Sequence, residues 1–421
     1  MSTGFLLGID VGTSTCKAVV TGVDAAERAV GRRATPWQPD GLSLDPSDLI
    51  EAVLGAVGEA LDAVPPGQVL GVGVASMAEA GVLLSADSTP AAPILAWRDE
   101  RAEGELDSLR TDLPSFSWHT GLRVSAKPVA VKHRWRTRRD GRAATASRWL
   151  NMAEYVVFAL GGDQVAELSL ASRTGWLDVA RRAWWPEALA WSGADEGLLP
   201  PLVEAGHPAG RVAGPDRLRG AALTVAGHDH LVAAVGAGAV GDGDLIDSCG
   251  SAEALFRAVD PVSATAIRTD AAATGVSSGW HVLPDRCALI SGFRSGGQLR
   301  DLLDEFGLDD PAAADELART GRLPRWRDTA DAIAREAARR ARDLQRFTGP
   351  PDRLVAVGGW ARDGLVAEAR ERYLGPAEHP PVAEAAARGA AVLAGVAAGV
   401  FTDVTTVSVG GWVGRAERAG R

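Results

Sequence analysis

Three short turns carry the residues with the most to offer chemically. Each follows an apolar run: Gly12-Thr13-Ser14-Thr15 after FLLGID, Gly250-Ser251 after DLIDSC, and Gly358-Gly359 after RLVAV. Glycine lets a main chain approach a ligand closely and takes positive φ at little cost. Successive main-chain N–H groups in such turns form an anion cradle. The hydroxyls of Thr13, Ser14, Thr15 and Ser251 add donors, and Lys17 adds a point charge suited to phosphate. Asp10 and Asp247 stand just ahead of two of the turns. One glycine turn alone says little, because an ordinary hairpin needs one too. Three after apolar strands, two with a preceding carboxylate, point to a phosphate site.

Two commoner phosphate motifs can be set against this reading. The Walker A spacing, closing on Gly-Lys-Ser/Thr, is absent. A Gly-x-Gly-x-x-Gly does occur at Gly236, Gly238 and Gly241, with Asp260 further on. A dinucleotide fingerprint needs a strand before it and a helix after it. Here an Ala-rich helical segment precedes the glycines, and Asp242-Gly243-Asp244 follows with carboxylates that repel a pyrophosphate. His228 and His230 flank Asp229, but two histidines without further ligands nearby make a weak metal signal.

The elements that must hold these turns read as an α/β chain. Residues 5–10 and KAVVTG are strands, so the first glycine turn joins two strands and opens no helix. Leu49, Val53, Leu54, Val57 and Leu61 give residues 47–63 helical spacing, and LGVGVAS and GVLLS are strands after it. The run Lys132 to Arg142 reads as a solvated basic helix. Residues 150–225 read as helix and loop. LTVAGHD then reads as strand and turn, HLVAAVGAGAV as a helix, and DLIDSCGSAEALF as strand, glycine turn, strand. That repeats the order of the N-terminal segment and suggests a duplicated α/β unit with nucleotide between the halves. A charged helix over 328–347, a strand at RLVAV and a buried helix over 382–401 complete the chain.

Composition excludes several classes. A chain of 421 residues leads one to expect two domains. Its apolar share of 46% and charged share of 23% are those of a globular protein. A net charge of -10 argues against wrapping nucleic acid, whose affinity comes largely from Lys and Arg on phosphates. Cys16, Cys249 and Cys287 are too few and too scattered for a disulfide framework, which fits a reducing cytoplasm. The N-terminus has no signal-peptide pattern, and Gly389 to Phe401 is too short to span a bilayer. Cytoplasmic location without membrane or nucleic-acid partners is therefore expected, and a homodimer is compatible with the sequence.

Taken together, the segments resemble the FGGY family of carbohydrate kinases, in the expected order along nearly the whole chain. GIDVGTSTCKAVV is similar to the family's first phosphate motif, and GVGVASMAEAGVLL with PILAWRDERA to its sugar-site loop and Trp-x-Asp-x-Arg motif. SLASRTGWLDVARRAWW and LLPPLVEAGHPAGRV resemble the close of the first domain. AGHDHLVAAVGAG resembles the motif of the catalytic aspartate, DSCGSAEALF the second phosphate motif, and VAVGGWARDG with EAAARGAAVLAGVAAGVF the adenosine motif and its following helix.

The resemblance implies two ribonuclease H-like α/β domains of the actin and hexokinase type, 1–225 and 226–421, with a cleft between them. It implies an ATP-dependent kinase acting on a sugar or polyol, with a ketopentose or four- to six-carbon polyol as the guess. By position, Asp229 is then the general base, although an Asp there can also cap the helix that follows. Asp10 orients Mg²⁺ through water, as hard cations prefer carboxylate oxygen. Gly12, Thr13, Ser14 and Lys17 face the transferring phosphate, Gly250 and Ser251 the tail phosphates, and Gly358 and Gly359 the adenosine. Glu79, Trp97, Asp99 and Arg101 match the sugar-contacting motifs. A core role for Trp97 and a surface ion pair for Asp99 and Arg101 are the plainer alternatives.

Three departures from the family stand out. The segment 308–327 is shorter than usual, the basic stretch 123–142 matches its signature loosely, and Trp360 stands where a small residue is common. A catalytically weak sugar- or nucleotide-binding sensor is the competing reading, and a dehydrogenase the third.

Overall fold

The computed structural model describes residues 4–250, 252–362 and 364–407. Its first sheet grows from segments that are apolar on both faces. β1 (Gly4–Val11) and β2 (Thr15–Gly22) are buried almost throughout, whereas β3 (Glu27–Ala34) at the edge is half charged and half-exposed. Helix α1 (Pro46–Asp62) starts at Asp45, whose carboxylate accepts from Ser47 N, and its Leu49–Val53–Val57–Leu61 stripe faces the core. β4 (Gln68–Ser76) follows.

The chain then makes an excursion that includes α2 (Val129–Thr137) before returning as β5 (Ala222–His228). The sheet order is β3-β2-β1-β4-β5, antiparallel across the first three strands and parallel from β1 through β4 to β5. β5 runs straight into α3 (Asp229–Ala237).

The second sheet repeats the plan. It holds β6 (Asp244–Cys249), β7 (Ala252–Val259), β8 (Ser277–Trp280) and β9 (Cys287–Arg294). After the amphipathic helix α4 (Pro324–Thr348) comes β10 (Arg353–Val357), then α5 (Gly364–Leu374) and α6 (Ala385–Ala397). The order is β8-β9-β7-β6-β10, with β6, β7 and β9 antiparallel and β10 parallel to β6. Beyond β10, where β5 would have its counterpart, the chain makes a single bridge between Val355 and Glu378. The short segment 308–327 carries a helix, Pro311–Arg319, packed with Leu299 and Trp326.

Two helices tie the halves together. α6 crosses back from the C-terminal half and lies on β1 and β4, where a Cβ on Gly8 or Gly73 would meet Ala387 O at 1.8 Å or Ala390 O at 2.1 Å. It also packs on α3, with Gly236 and Gly389 at the crossing. One apolar cluster runs from Ala75 and Ala226 of the first sheet through Val232 and Val392 to Ile246 and Val355 of the second. No helix among the described residues is long and apolar enough to cross a membrane.

The basic stretch departs from the expected solvated helix. Lys132 and His133 of α2 are buried together with Val129, Ala130 and Val131, so the first turn of this helix is enclosed on every side. The Lys132 ammonium donates to the carbonyls of Glu79 and Ala96.

Candidate active site

The parallel strands β1, β4 and β5 end together, and ligands of open α/β sheets bind beyond such carboxyl ends. Register sets Asp10 beside Ala75, and Ala75 beside Gly227, so Asp10, Glu79 and Asp229 all issue from one sheet edge. Antiparallel pairing puts Lys17 directly across from Asp10. The Lys17 ammonium lies 3.9 Å from Asp10 Oδ2 and 2.8 Å from Glu384 Oε2, at the start of α6.

Asp10 is 5% exposed, and burial pushes its carboxyl up to about 7. Lys17 pulls the other way, while the neighbouring charges of Asp229 and Glu384 add to the rise. Asp10 Oδ1 is buried with no hydrogen-bond partner. A buried carboxylate oxygen without a donor is what a hard divalent cation would satisfy, so the residues fit Mg²⁺.

The first glycine turn is held from three sides. Thr35 Oγ1 donates to Gly12 O at 2.7 Å, Trp37 Nε1 to Thr13 O at 2.6 Å, and Trp97 Nε1 to Thr13 Oγ1 at 3.1 Å. Gly12 N closes the hairpin on Thr15 O, and Gly250 N closes the second hairpin on Ala252 O. Those two amides therefore serve the turns themselves. Ser14 is exposed at the tip.

Asp229 begins α3, and its Oδ1 accepts from His230 N at 2.7 Å with His228 Nε2 at 3.4 Å. Burial drives the His228 imidazole down to about 4, so it is neutral at pH 7. Ser169 Oγ accepts from His228 N at 2.9 Å and donates to buried Glu167, which fixes where β5 ends. His230 Nδ1 pairs with Ser248 Oγ at 2.9 Å and so links this edge to β6. The donor atoms of His228, Asp229 and His230 converge within 4.8 Å, yet each of the three already has a protein neighbour.

Around Glu79 the structure assembles residues far apart in sequence. Glu79 has φ +64° and is 7% exposed. Burial alone would raise its carboxyl, but Arg173, Lys127 and Lys132 outweigh that and hold it below its usual range. Arg173 Nη2 donates to Glu79 Oε1 at 2.6 Å. Lys127 Nζ sits 4.9 Å above the Trp97 ring. Asp99 is buried and spends its carboxylate on Arg101, through Nε and Nη2 at 3.0 and 2.7 Å. Arg101 itself is 43% exposed and lies over Trp135. These two hold one another one step behind Glu79, joined to it through Lys132.

The second sheet gathers the other glycines. Ser248 pairs with Val357 in register, and a Cβ on Gly358, at φ +98°, would lie 2.1 Å from Cys249 O. The carbonyl of Gly250 and the indole of Trp360 both lie against Gly296, where a Cβ would stand. Nothing lies within 4 Å of a Cβ on Gly359. Ser251 falls outside the described residues. Asp247, the counterpart of Asp10 in the sequence, is instead paired with Arg370, which also bridges to Glu253 at 2.7 Å. A cation therefore already fills that acidic cluster.

Sequence reasoning missed Arg173, Lys127, Lys132 and Glu384 as parts of the site. A lysine directly after the apolar run Val129–Val131 is the one local signal that could have flagged Lys132.

Comparison with known proteins identifies the family and the fold. The model of the FGGY family of carbohydrate kinases, N-terminal domain, matches residues 5–236. A gluconokinase of Bacillus subtilis is 25% identical over 48% of this chain, a match spanning only 40% of that relative's own length. A glycerol kinase of Aromatoleum aromaticum is 26% identical over 95% of this chain and 91% of its own. Among solved structures, a xylulose kinase of Brucella ovis superposes with a TM-score of 0.80 at 24% identity, over 96% of this chain and 92% of that one. At that identity the likeness speaks for the fold, two actin- and hexokinase-type ribonuclease H-like units. With the family model matching more than half of its length, the chain belongs to the FGGY family of carbohydrate kinases.

Proposed function

We propose that this protein transfers the γ-phosphate of ATP to a hydroxyl of a sugar or polyol, of ketopentose or four- to six-carbon polyol size. The observation that carries the reading is the convergence of Asp10, Glu79 and Asp229 on the carboxyl edge of β1, β4 and β5, across from the glycine turns of β6 and β10. The acceptor hydroxyl lies between Glu79 and Asp229. Its proton passes to the Asp229 carboxylate, its oxygen forms a bond to the γ-phosphorus, and the bond from that phosphorus to the β,γ-bridging oxygen breaks, leaving ADP. The main-chain donor on Asp229 Oδ1 fixes the carboxylate for this proton.

Gly12, Thr13, Ser14 and Lys17 face the transferring group. Gly250 and Ser251 take the tail phosphates, and Gly358 and Gly359 the adenosine. Glu79 and Trp97 orient the acceptor, with Asp99 and Arg101 bracing them. Asp10 would hold magnesium, which when bound would supply the charge neutralisation that in-line transfer requires. The functional halves divide near residue 225, with α6 lent back to the first.

The test is ADP release with Mg-ATP across ketoses, aldoses, polyols and sugar acids, with Asp229→Ala alongside. Turnover of one compound, reduced roughly 10²- to 10⁴-fold in the variant, is expected. ATP binding without turnover of any acceptor would favour the sensor instead.

A further inference from the structure

The acceptor side of the site carries more positive charge than its own carboxylates use. Glu79 is paired with Arg173 and Asp99 with Arg101. Lys132 is consumed by the carbonyls of Glu79 and Ala96. That leaves Lys127. Its ammonium lies over the Trp97 ring, whose indole N–H reaches the first phosphate turn at Thr13, so this lysine borders the acceptor space and the phosphate side at once. It is open to solvent, and among the described residues it makes no hydrogen bond or ion pair. The charges it faces are Glu79, Arg173, Arg123 and Glu100, of which Glu79 is already neutralised. Arg173 also has an idle donor, since its Nε is buried without a partner.

A neutral polyol offers hydroxyls to these cations but leaves their charge unanswered. A carboxylate answers it, because hydrogen bonds between charged partners are about twice as strong as neutral ones. We infer that the acceptor is a polyhydroxy acid of the aldonate class, its carboxylate seated on Lys127 with Arg173 behind it and its far hydroxyl turned toward Asp229. The inference deepens the kinase reading above and rests on it.

The experiment compares D-gluconate and shorter aldonates with D-glucitol and ketopentoses as acceptors, for the wild type, Lys127→Met and Lys127→Arg. Titration with Mg-ATP checks that each variant is folded. The expected result is kcat/KM for an aldonate at least tenfold above that for the neutral alditol. Lys127→Met should raise the aldonate KM on the order of 30-fold, the worth of one hydrogen bond to a charged group. Lys127→Arg should restore most of it. Preference of the wild type for an alditol or ketopentose would overturn the inference and leave the kinase reading standing. An equal loss of kcat on acid and alditol in Lys127→Met would also overturn it, because the lysine would then serve the phosphate. No product from any acceptor, with Mg-ATP still bound, would remove the kinase reading and this inference with it.

Discussion

Arg173 and Glu79 meet across 94 positions of sequence, and nothing near either one announces the other. Asp10, Asp229 and the glycine turns were legible because their chemistry is written locally, as a strand, a carboxylate and a small-residue turn. Arg173 was not, because its meaning comes only from the carboxylate it neutralises. The pair predicts a non-additive result. Arg173→Met should destabilise the protein by about 3 kcal/mol, the low end for removing one partner of a buried ion pair, since Lys127 and Lys132 still face Glu79. Glu79→Gln in that background should recover most of the stability but no acceptor turnover. Chemical denaturation of the four chains of the cycle reads the first effect, and an ADP-release assay reads the second. A double variant as unstable as the single would show that the loss comes from packing rather than from the stranded charge.

At the scale of elements, the crossing of α3 and α6 decides whether Asp229 and Glu384 come to one place, since these residues stand at or beside the starts of the two helices. The helices touch main chain to main chain. A Cβ on Gly389 would lie 2.1 Å from Val232 O, and one on Gly236 would lie 1.8 Å from Ala385 O. Contacts that short cannot be relieved by turning a side chain, so the axes must part. Gly389→Ala should cost on the order of 2–3 kcal/mol by overpacking and should lower kcat as well. Urea denaturation and steady-state kinetics would check this, and unchanged stability would mean that the two helices do not touch main chain to main chain. Gly358→Ala tests the second sheet in the same way. A Cβ there meets Cys249 O at positive φ, so nucleotide affinity should fall while acceptor binding stays, as equilibrium titration of each would reveal. The sequence marked a buried helix within 382–401, which the structure has over Ala385–Ala397, yet it could not say that a C-terminal helix lies on the N-terminal sheet. Small residues say that something packs closely, not what does.

For the whole molecule, the doubled plan was readable because strand, glycine turn and strand recur in order, and hairpins are local. The long-range pieces were not, namely α6 on the first sheet and the junction where Val282, between β8 and β9, rests against Gly227 of β5. That junction also holds His281, 5% exposed, with Nδ1 accepting from Leu283 N at 3.1 Å. Burial drives its imidazole down to about 3, and nearby His228 adds to the fall. The native state therefore keeps His281 neutral where the unfolded chain, with a pKa near the ordinary 6.5, takes up a proton. The stability of the neutral imidazole is present above about pH 6.5 and is lost as pH falls toward the folded value. From pH 7 to pH 5 that loss amounts to roughly 2 kcal/mol, at 1.36 kcal/mol for each unit of pH below the unfolded pKa. Buried carboxyls pushed upward, such as Glu154 at about 8 and Glu167 at about 7, change stability in the opposite sense over this range, so the wild-type profile alone is a mixture. A difference isolates the histidine. His281→Asn keeps an acceptor for Leu283 N and cannot be protonated, and it leaves those carboxyls in place. Its stability relative to wild type should therefore rise by about 2 kcal/mol between pH 7 and pH 5, as measured by denaturant unfolding at each pH. Parallel profiles would mean that His281 takes up its proton within the folded protein, and that the junction of the two halves opens to water on the acid side.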